Sequence, residues 1–446
     1  MISIYAIDII NFTNSILNIN LNYECFYWRK SHMKKNILSI PSLLIVISLA
    51  SINAVLYTPA LPALTKFYGV SQGKIQYTVA IFILGYSVSQ LVYGPIANTI
   101  GRKKTVLLGF TIGIFGALLC ILSGLIKNYE FLVLGRFIVA FGTASGLCLT
   151  FTMINDVSRE KKAKKITGFC FMAFAIAPGI ANFIGGYLTS EFGATGSFYF
   201  LLLLDIFALV FALRMPETLS PKKRNKLNVS NIINGYANAL QNKNLLISAL
   251  IYGSFTAMLY GIIAILPFIA IQHLKMSPEF FGFIFFLTYL GYLAGSFIAT
   301  IISHKLKTKD AILIGILIAL LANVILIGFI VTGDITIISL FSCIFLLFMS
   351  LPFAFINASI LGITSHHTDK SNASSSMNFI STFMAFIAVI VAGSIHSNFL
   401  YVLGFGILLI VFFALTLYLF FFCGFFRNTL YKDKFTKNID LRYNEI

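Results

Sequence analysis

Twelve apolar segments, each long enough to cross a lipid bilayer, recur along the chain. A helix needs about 20 apolar residues to traverse the hydrocarbon. Segments of that length lie at about residues 38–57, 75–97, 105–126, 131–154, 166–188, 197–214, 245–272, 280–303, 310–332, 336–362, 375–396 and 399–425. We therefore predict an all-α integral membrane protein with twelve transmembrane helices.

The composition supports lipid as the solvent and disfavours nucleic acid as a partner. Only 11% of the residues are charged and 58% are hydrophobic, whereas soluble domains carry about 25% charged residues. The net charge of +17 comes from short cationic clusters between apolar segments, a pattern that indicates contact with anionic lipid. The six cysteines form no CxxC pair, so we predict neither a disulfide framework nor a metal site.

The loop charges set the expected direction of the helices. The loops that follow the even-numbered segments hold cationic runs such as RKK and SREKKAKK. On the other side the loops carry four cations, Lys66, Lys74, Lys127 and Lys275. Since Lys and Arg favour the cytoplasmic side, we predict that both termini are cytoplasmic.

The polar stretch 215–244 divides the chain into two similar halves. GPIANTIGRKK from Gly94 and GSFIATIISHKLK from Gly295 each close the second segment of a half, as expected for duplicated bundles related by pseudo-symmetry. The predicted division is an N-terminal extension at 1–36, with the true start expected at Met33, a six-helix bundle at 37–214, a cytoplasmic linker at 215–244, a second six-helix bundle at 245–426 and a cytoplasmic tail at 427–446.

Missing motifs exclude several function classes. The sequence has no GxxxxGK[ST] loop, no HExxH and no GxSxG, so ATP-driven transport and hydrolytic chemistry lack their usual residues. No filter-like loop repeats along the chain, which disfavours a channel. We expect a secondary transporter that is not an enzyme and carries no cofactor.

Five stretches resemble the major facilitator superfamily and its bicyclomycin-resistance (Bcr/CflA) drug-efflux branch. The loop between the second and third segments, GPIANTIGRKK, is similar to the superfamily signature at that place. The other stretches are YTPALPAL from Tyr57, GRFIVAFGTASG from Gly135, APGIANFIGGYL from Ala177 and MPETL from Met215. Their order and spacing follow the family from Met33 almost to the end of the chain.

The resemblance implies alternating access between two bundles in a bacterial inner membrane. It further implies proton-driven export of small drug-like or amphipathic compounds of the bicyclomycin and chloramphenicol type. The expected partners are a small-molecule substrate, protons and membrane lipid, and we expect a monomer. Three alternatives stay open: a metabolite carrier of the same fold, a transport-inactive receptor or scaffold, and a membrane enzyme.

Several residues are candidates for substrate binding or coupling. In the family the arginine at Arg136 faces the cavity, and the alternative is a side chain that reaches outward to the interface. Asp205, in the middle of the sixth segment, is either a proton carrier or a neutral carboxyl bonded to nearby backbone. Glu130 is a second coupling candidate or an interfacial charge. Tyr57 and Tyr260 flank a ligand or belong to an aromatic belt.

The family motifs supply two further groups of candidates. The proposed gating loop comprises Gly94, Asn98, Gly101, Arg102 and Lys103, and Asp156 at the end of the fourth segment is its expected partner. In the fifth segment Pro178, Gly185 and Gly186 belong to a motif of exporters. They either allow sliding between the bundles or simply kink a packed helix.

The sequence departs from the family at four positions. The acidic residue of the gating loop is Asn98, and the first-helix carboxylate falls at Val55. Val139 is found where the family has a glutamine, and Asn182 where it has the second proline of the exporter motif. The missing first-helix carboxylate leaves the proton site unassigned and favours the metabolite carrier among the alternatives.

Overall fold

A computed structural model describes residues 38–158, 160–224, 228–303, 306–364, 370–395 and 398–422 of the chain. Its twelve long apolar helices confirm the prediction of twelve spans. The helices are Ile40–Val55 with Leu61–Tyr68, Gln72–Ile100, Arg102–Ile126, Tyr129–Val157, Glu160–Phe192, Gly196–Leu213, Lys243–Pro267 with the π-helical turn Phe268–His273, Pro278–Ser303, Thr308–Thr332, Ile337–Thr364, Lys370–Ser394 and Phe399–Phe422. They are numbered below as spans 1 to 12. The predicted extension 1–36 and tail 427–446 lie outside the described residues.

The helices form two six-helix bundles whose outer surface is apolar. Large side chains such as Leu125, Phe297 and Leu409 are exposed by 69%, 69% and 71%. In water such a surface would be costly, but in lipid it is the expected exterior. Because backbone hydrogen bonds are satisfied within each helix, these segments cross the bilayer without exposing unpaired amides.

Span 1 is longer than predicted because it changes helix type rather than ending. The first helix stops at Val55, the 3₁₀ turn Thr58–Ala60 follows, and a second helix continues to Tyr68. Two prolines, Pro59 and Pro62, lie at the starts of these later elements, where a missing amide is tolerated. The break places Leu56 and Tyr57 inside the bundle, where neither side chain is exposed.

The two bundles meet through spans 2 and 11 and through spans 5 and 8. Their closest approaches lie at one end of the molecule, which we call the closed end and define by Gly73, Gly393, Gly186 and Pro278. A Cβ built on Gly73 would collide with the Gly393 carbonyl, and one on Gly186 with the Pro278 carbonyl. The side chains of Gln72 and Gln272, from spans 2 and 7, are hydrogen-bonded at 2.6 Å at the same end.

A helix in the linker, Val229–Leu240, lies at the opposite end and contacts both bundles. Its Tyr236 hydroxyl donates to the Leu91 carbonyl of span 2 at 2.9 Å. A Cβ on Gly235 would collide with the Asn372 amide of span 11. The linker is therefore a structured bridge at this end of the bundles.

Candidate functional site

The loop between spans 2 and 3 is joined to span 4 and to the start of the linker. The Arg102 Nε lies 3.3 Å from Asp156 Oδ2, and Arg102 Nη1 donates to Asn98 Oδ1 at 2.6 Å. Asp156 also accepts a hydrogen bond of 2.9 Å from the Thr218 hydroxyl. The pairing of Arg102 with Asp156 that the sequence suggested is present. The uncharged Asn98 side chain accepts a hydrogen bond from the same arginine.

Glu217 is a member of this network that sequence reasoning missed. Its Oε1 accepts the Arg102 backbone N–H at 2.9 Å, and its Oε2 lies 3.9 Å from Arg224. Gly101 has a φ of +107°, and a Cβ there would collide with the Glu217 carboxylate. Only glycine fits this position, because the conformation and the close approach both exclude a side chain. The signal was available, since the MPETL stretch contains the only acid near the linker start.

The structure corrects the interpretation of Gly94 and adds little for Lys103. Span 2 runs through Gly94 and Pro95 to Ile100, and a Cβ on Gly94 would meet no atom within 4 Å. Gly94 therefore neither ends the helix nor brings another helix close in this conformation. Pro95 cannot supply the amide that would bond to Leu91, and this carbonyl is the one that accepts from Tyr236. Lys103 is half-exposed.

Arg136 is fully buried, so it neither faces an open cavity nor reaches outward to the membrane interface in this structure. Its guanidinium carbon lies 3.9 Å from the centre of the Tyr57 ring and 4.3 Å from that of Phe82. The Nη2 group donates to the Asn53 carbonyl at 2.9 Å. A weakly hydrated guanidinium between two aromatic faces is stabilised by cation–π attraction.

Asn53 links Arg136 to Asp205 and was missed by sequence reasoning. Its Nδ2 donates to Asp205 Oδ1 at 2.8 Å, while its backbone carbonyl holds Arg136. All three residues are fully buried. The expected backbone partner of Asp205 is thus replaced by a side-chain amide on span 1. Val55 gave no hint of this, because the polar residue stands two positions earlier on the helix.

Of the two other polar candidates of this region, Glu130 lies apart from these three residues, whereas Tyr57 packs against Arg136. Glu130 is exposed at the start of span 4, as an interfacial charge would be. Tyr57 is fully buried beneath Arg136, and its hydroxyl lies 3.1 Å from that of Thr78. Tyr57 therefore lies neither in an interfacial belt nor on an exposed ligand-binding surface.

The exporter motif of span 5 faces two different neighbours. A Cβ on Gly186 would collide with Pro278 of span 8, in the other bundle, whereas one on Gly185 would collide with the Leu56 carbonyl of span 1, in the same bundle. The interface role predicted for the motif therefore applies geometrically to Gly186 alone of the two. Pro178 is buried, and its carbonyl accepts from Asn182 Nδ2 at 3.2 Å.

Asn182, at the position of the family's second proline, binds span 1. Its Oδ1 accepts a hydrogen bond of 2.9 Å from the Thr58 hydroxyl, and both residues are fully buried. A Cβ on Gly282 of span 8 would meet the Asn182 carbonyl at 2.5 Å. Span 5 is thus fixed to span 1 on one side and lies against span 8 on the other.

A group of phenols lies between the bundles, and we call it the tyrosine cluster. It comprises Tyr86 of span 2, Tyr252 and Tyr260 of span 7, and Tyr289 and Tyr292 of span 8. The phenol of Tyr260 lies within electrostatic range of those of Tyr86, Tyr252 and Tyr289, and that of Tyr252 within range of Tyr292. All but Tyr289 are partly exposed. Of these five, the sequence had singled out Tyr260 alone, because the others look like ordinary bundle residues.

Family comparison decides the identity of the fold. Residues 43–393 match the model of the Major Facilitator Superfamily. The chain belongs to the Major Facilitator Superfamily. The crystal structure of a D-xylose–proton symporter has the same fold, with a TM-score of 0.67 and 13% sequence identity. The match covers 84% of this chain and 96% of that one.

Curated relatives within the superfamily are distant. The MFS-type transporter YdgK of Bacillus subtilis (strain 168) is 26% identical over 281 residues, which cover 62% of this chain and 69% of its own length. A bicyclomycin resistance protein homolog of Haemophilus influenzae is 29% identical over 199 residues, or 44% of this chain and 48% of its own. The sequence-based assignment to the superfamily is confirmed, and the chain is a multi-pass membrane protein of a transporter family.

Proposed function

We propose that this superfamily member is a proton-coupled exporter of small, uncharged amphipathic compounds, such as bicyclomycin or chloramphenicol. It works by alternating access as a monomer in a bacterial inner membrane, with both termini cytoplasmic, without a cofactor and without enzymatic activity. The similarity to a bicyclomycin resistance protein homolog supports the substrate class. The cationic loops next to Arg102 and Lys222 support the orientation.

The tyrosine cluster is the observation that carries this proposal. Aromatic rings offer apolar faces to a ligand, and phenol hydroxyls both donate and accept hydrogen bonds. Binding sites for small molecules combine such apolar walls with a few polar groups. Tyr86 belongs to one bundle and Tyr252 and Tyr260 to the other, so a compound held among them would contact both bundles. A contact of this kind is what lets a substrate bias the movement of one bundle against the other.

The contacts at the closed end support alternating access. Gly73 and Gly393 bring spans 2 and 11 together, and Gly186 and Pro278 bring spans 5 and 8 together. At the other end Gly94 of span 2 has open space around it. With the positive-inside orientation, the closed end is the outer one, and a substrate from the cytoplasm would enter from the opposite end, where the linker helix bridges the bundles.

A carrier of an uncharged metabolite on the same fold is the second candidate. Val55 favours it, because the first-helix carboxylate common in the drug-efflux branch is replaced here by a buried aliphatic side chain. Such a carrier would use the same phenols but would export or import a cell metabolite. A transport-inactive receptor would bind a ligand at this place and move nothing.

Substrate-dependent proton movement in everted membrane vesicles tests the proposal. Vesicles with the full chain are energised and then given bicyclomycin, chloramphenicol or a cationic dye, and the pH gradient is followed. We expect the two uncharged drugs, and not the dye, to collapse part of the gradient, with no response in vesicles lacking the protein. A response to the dye alone would contradict the substrate class. Drug flux that leaves the gradient unchanged would contradict proton coupling.

A further inference from the structure

The cluster of Asp205, Asn53 and Arg136 holds polar groups that no side chain satisfies. Within the described residues, Asp205 Oδ2 and the Nε and Nη1 of Arg136 have no hydrogen-bond partner. Arg136 and Asn53 border a crevice between spans 1, 3, 4 and 6 that is too narrow to hold a water molecule, and Asp205 is fully buried next to Asn53. Leaving buried donors and acceptors unpaired is costly, so this arrangement calls for a function.

The chemistry of the two ionisable groups limits what that function can be. A guanidinium stays protonated in proteins, so Arg136 keeps its charge whatever the conformation. A carboxyl can exist as COOH or as COO⁻ plus a released proton, and only Asp205 offers that choice here. Two other titratable groups lie close by: Cys120 of span 3 is within electrostatic range of both residues, and the Tyr57 phenol packs against Arg136. Arg136 compensates the carboxylate when the proton has left, and no direct contact with it is needed.

We propose that Asp205 is the proton-binding site of this carrier, on span 6 rather than on span 1. This inference rests on the proposed proton coupling. The proton binds at Oδ2, the oxygen that faces no partner, while Oδ1 stays bonded to Asn53. In the present conformation Asp205 is fully buried, so water reaches Oδ2 only when the spans around it separate.

A chain of contacts connects this site to the interface between the bundles. Asp205 bonds to Asn53 of span 1, and five residues further along span 1, Thr58 bonds to Asn182 of span 5. Asn182 in turn lies against Gly282 of span 8. Loss of the proton strengthens the bond that Asn53 donates, because an ionised acceptor binds more tightly than a neutral one. The position of span 1 then depends on the charge of Asp205, and span 5 moves with it.

The variant Asp205→Asn tests the site without removing its hydrogen bond. An amide oxygen still accepts from Asn53, so we expect the protein to insert, but the group no longer binds a proton. Infrared spectroscopy of the full chain in liposomes detects the carbonyl stretch of a protonated carboxyl. We expect a band that disappears as the pH is raised in the native protein and is absent from Asp205→Asn. Asp334→Asn, which changes an exposed acid, is the matched control and should leave the band intact.

The outcomes separate this proposal from the proposed function. Identical titrating spectra in the native protein and Asp205→Asn would overturn the proton site, even if drug export proved correct. A band assigned to Asp205, with no drug response in vesicles, would keep the site and overturn the drug-efflux function. If Asp205→Asn fails to insert, Asp205→Glu should shift the band and retain it, and an unshifted band would overturn the site.

A double variant moves the carboxyl from span 6 to span 1, that is, to the other partner of the hydrogen bond between Asn53 and Asp205. Asn53→Asp in the Asp205→Asn background places the acid on span 1 while the same two side chains remain in contact. We expect Asp205→Asn to lose substrate-dependent proton movement and the double variant to regain part of it. A coupled response of native size in Asp205→Asn alone would overturn the proposal.

Discussion

The Tyr236 hydroxyl donates to the Leu91 carbonyl, which is the carbonyl that Pro95 leaves without its helical amide partner. In a regular helix the amide four residues later would occupy this acceptor. Proline has no amide hydrogen, so span 2 offers a bare carbonyl to the linker helix. Pro95, which the sequence places in the motif of the loop between spans 2 and 3, thus leaves a hydrogen-bond acceptor free for the linker helix.

We expect Tyr236→Phe to loosen the linker helix. The variant removes one hydrogen bond worth about 1 kcal/mol, which corresponds to roughly a fivefold larger detached population. Trypsin cleavage after Lys222 and Arg224, measured by mass spectrometry in detergent, should be faster by a similar factor. Tyr199→Phe, at an exposed tyrosine of span 6, is the control and should cleave at the native rate. Equal rates for all three proteins would show that this bond does not hold the linker.

We expect Arg102→Ala to impair transport more than membrane insertion. Arg102 forms charge-assisted bonds with Asp156 and Asn98, and such bonds contribute about 1.5–3 kcal/mol. Drug efflux per inserted molecule should fall about tenfold or more, as measured by transport in vesicles with quantified protein. Lys103→Ala, at the neighbouring half-exposed cation, should be much milder. Normal efflux by a well-inserted Arg102→Ala protein would contradict a switching role for the network.

We expect Asn98→Asp to stabilise the conformation described here. The Asn98 oxygen already accepts from Arg102 at 2.6 Å, so a carboxylate adds charge without moving the group. The bond is already charge-assisted by the guanidinium, so the carboxylate adds an ion pair worth about 0–1 kcal/mol. The melting temperature of the purified protein should rise, and the rise should disappear in the Arg102→Ala background. A rise that persists there would show that the effect does not pass through Arg102.

We expect the two glycines of span 5 to respond differently to alanine. Gly186 contacts the other bundle and Gly185 the same bundle, and overpacking costs about 1–3 kcal/mol. Gly186→Ala should disfavour the closed end and reduce efflux while the protein still inserts. Gly185→Ala should lower the melting temperature of the protein whichever end is closed, because Gly185 packs within one bundle. Gly328→Ala, with no atom within 4 Å of its added Cβ, is the control, and equal melting behaviour of all three variants would contradict the distinction.

We expect phenylalanine variants of Tyr252 and Tyr260 to bind uncharged drugs more weakly. The rings remain, but the hydroxyls that bond to the ligand are lost at about 0.5–1.5 kcal/mol each, or roughly two- to tenfold in affinity. Equilibrium binding of chloramphenicol to the purified protein measures this effect. Tyr401→Phe, on an exposed tyrosine of span 12, should bind as the native protein does. Unchanged binding in both cluster variants would place the substrate elsewhere.

Much of the fold follows from hydropathy, since long apolar segments in lipid have few alternatives to helices. The ends of the spans were less predictable, because apolar stretches stop before the helix does. Span 2 continues past Pro95 to Ile100, and span 1 passes a 3₁₀ turn to Tyr68. In a membrane, a helix broken by proline keeps going when neighbouring groups satisfy its carbonyls.

The site was predictable where it depends on local motifs and unpredictable where distant spans meet. The pairing of Arg102 with Asp156 follows from the family pattern. Asn53 is a short amide in an apolar helix, and no motif predicts a role for it. Its importance comes from Asp205, which lies 152 residues away. The direction in which a side chain points on a uniformly apolar helix is not encoded by periodicity. Tyr57, expected at a surface, is covered by Arg136 for the same reason.

At the closed end, the meeting of Gly73 with Gly393 has a consequence for leakage. Two backbones lie in contact there with no side chain between them, and the Gln76 side chain lies beside the contact, so the seal at this point depends on backbone packing. A backbone contact this close leaves no room for water or ions while it holds. For the proton-coupled carrier proposed above, such a seal limits leakage of the gradient that would drive export.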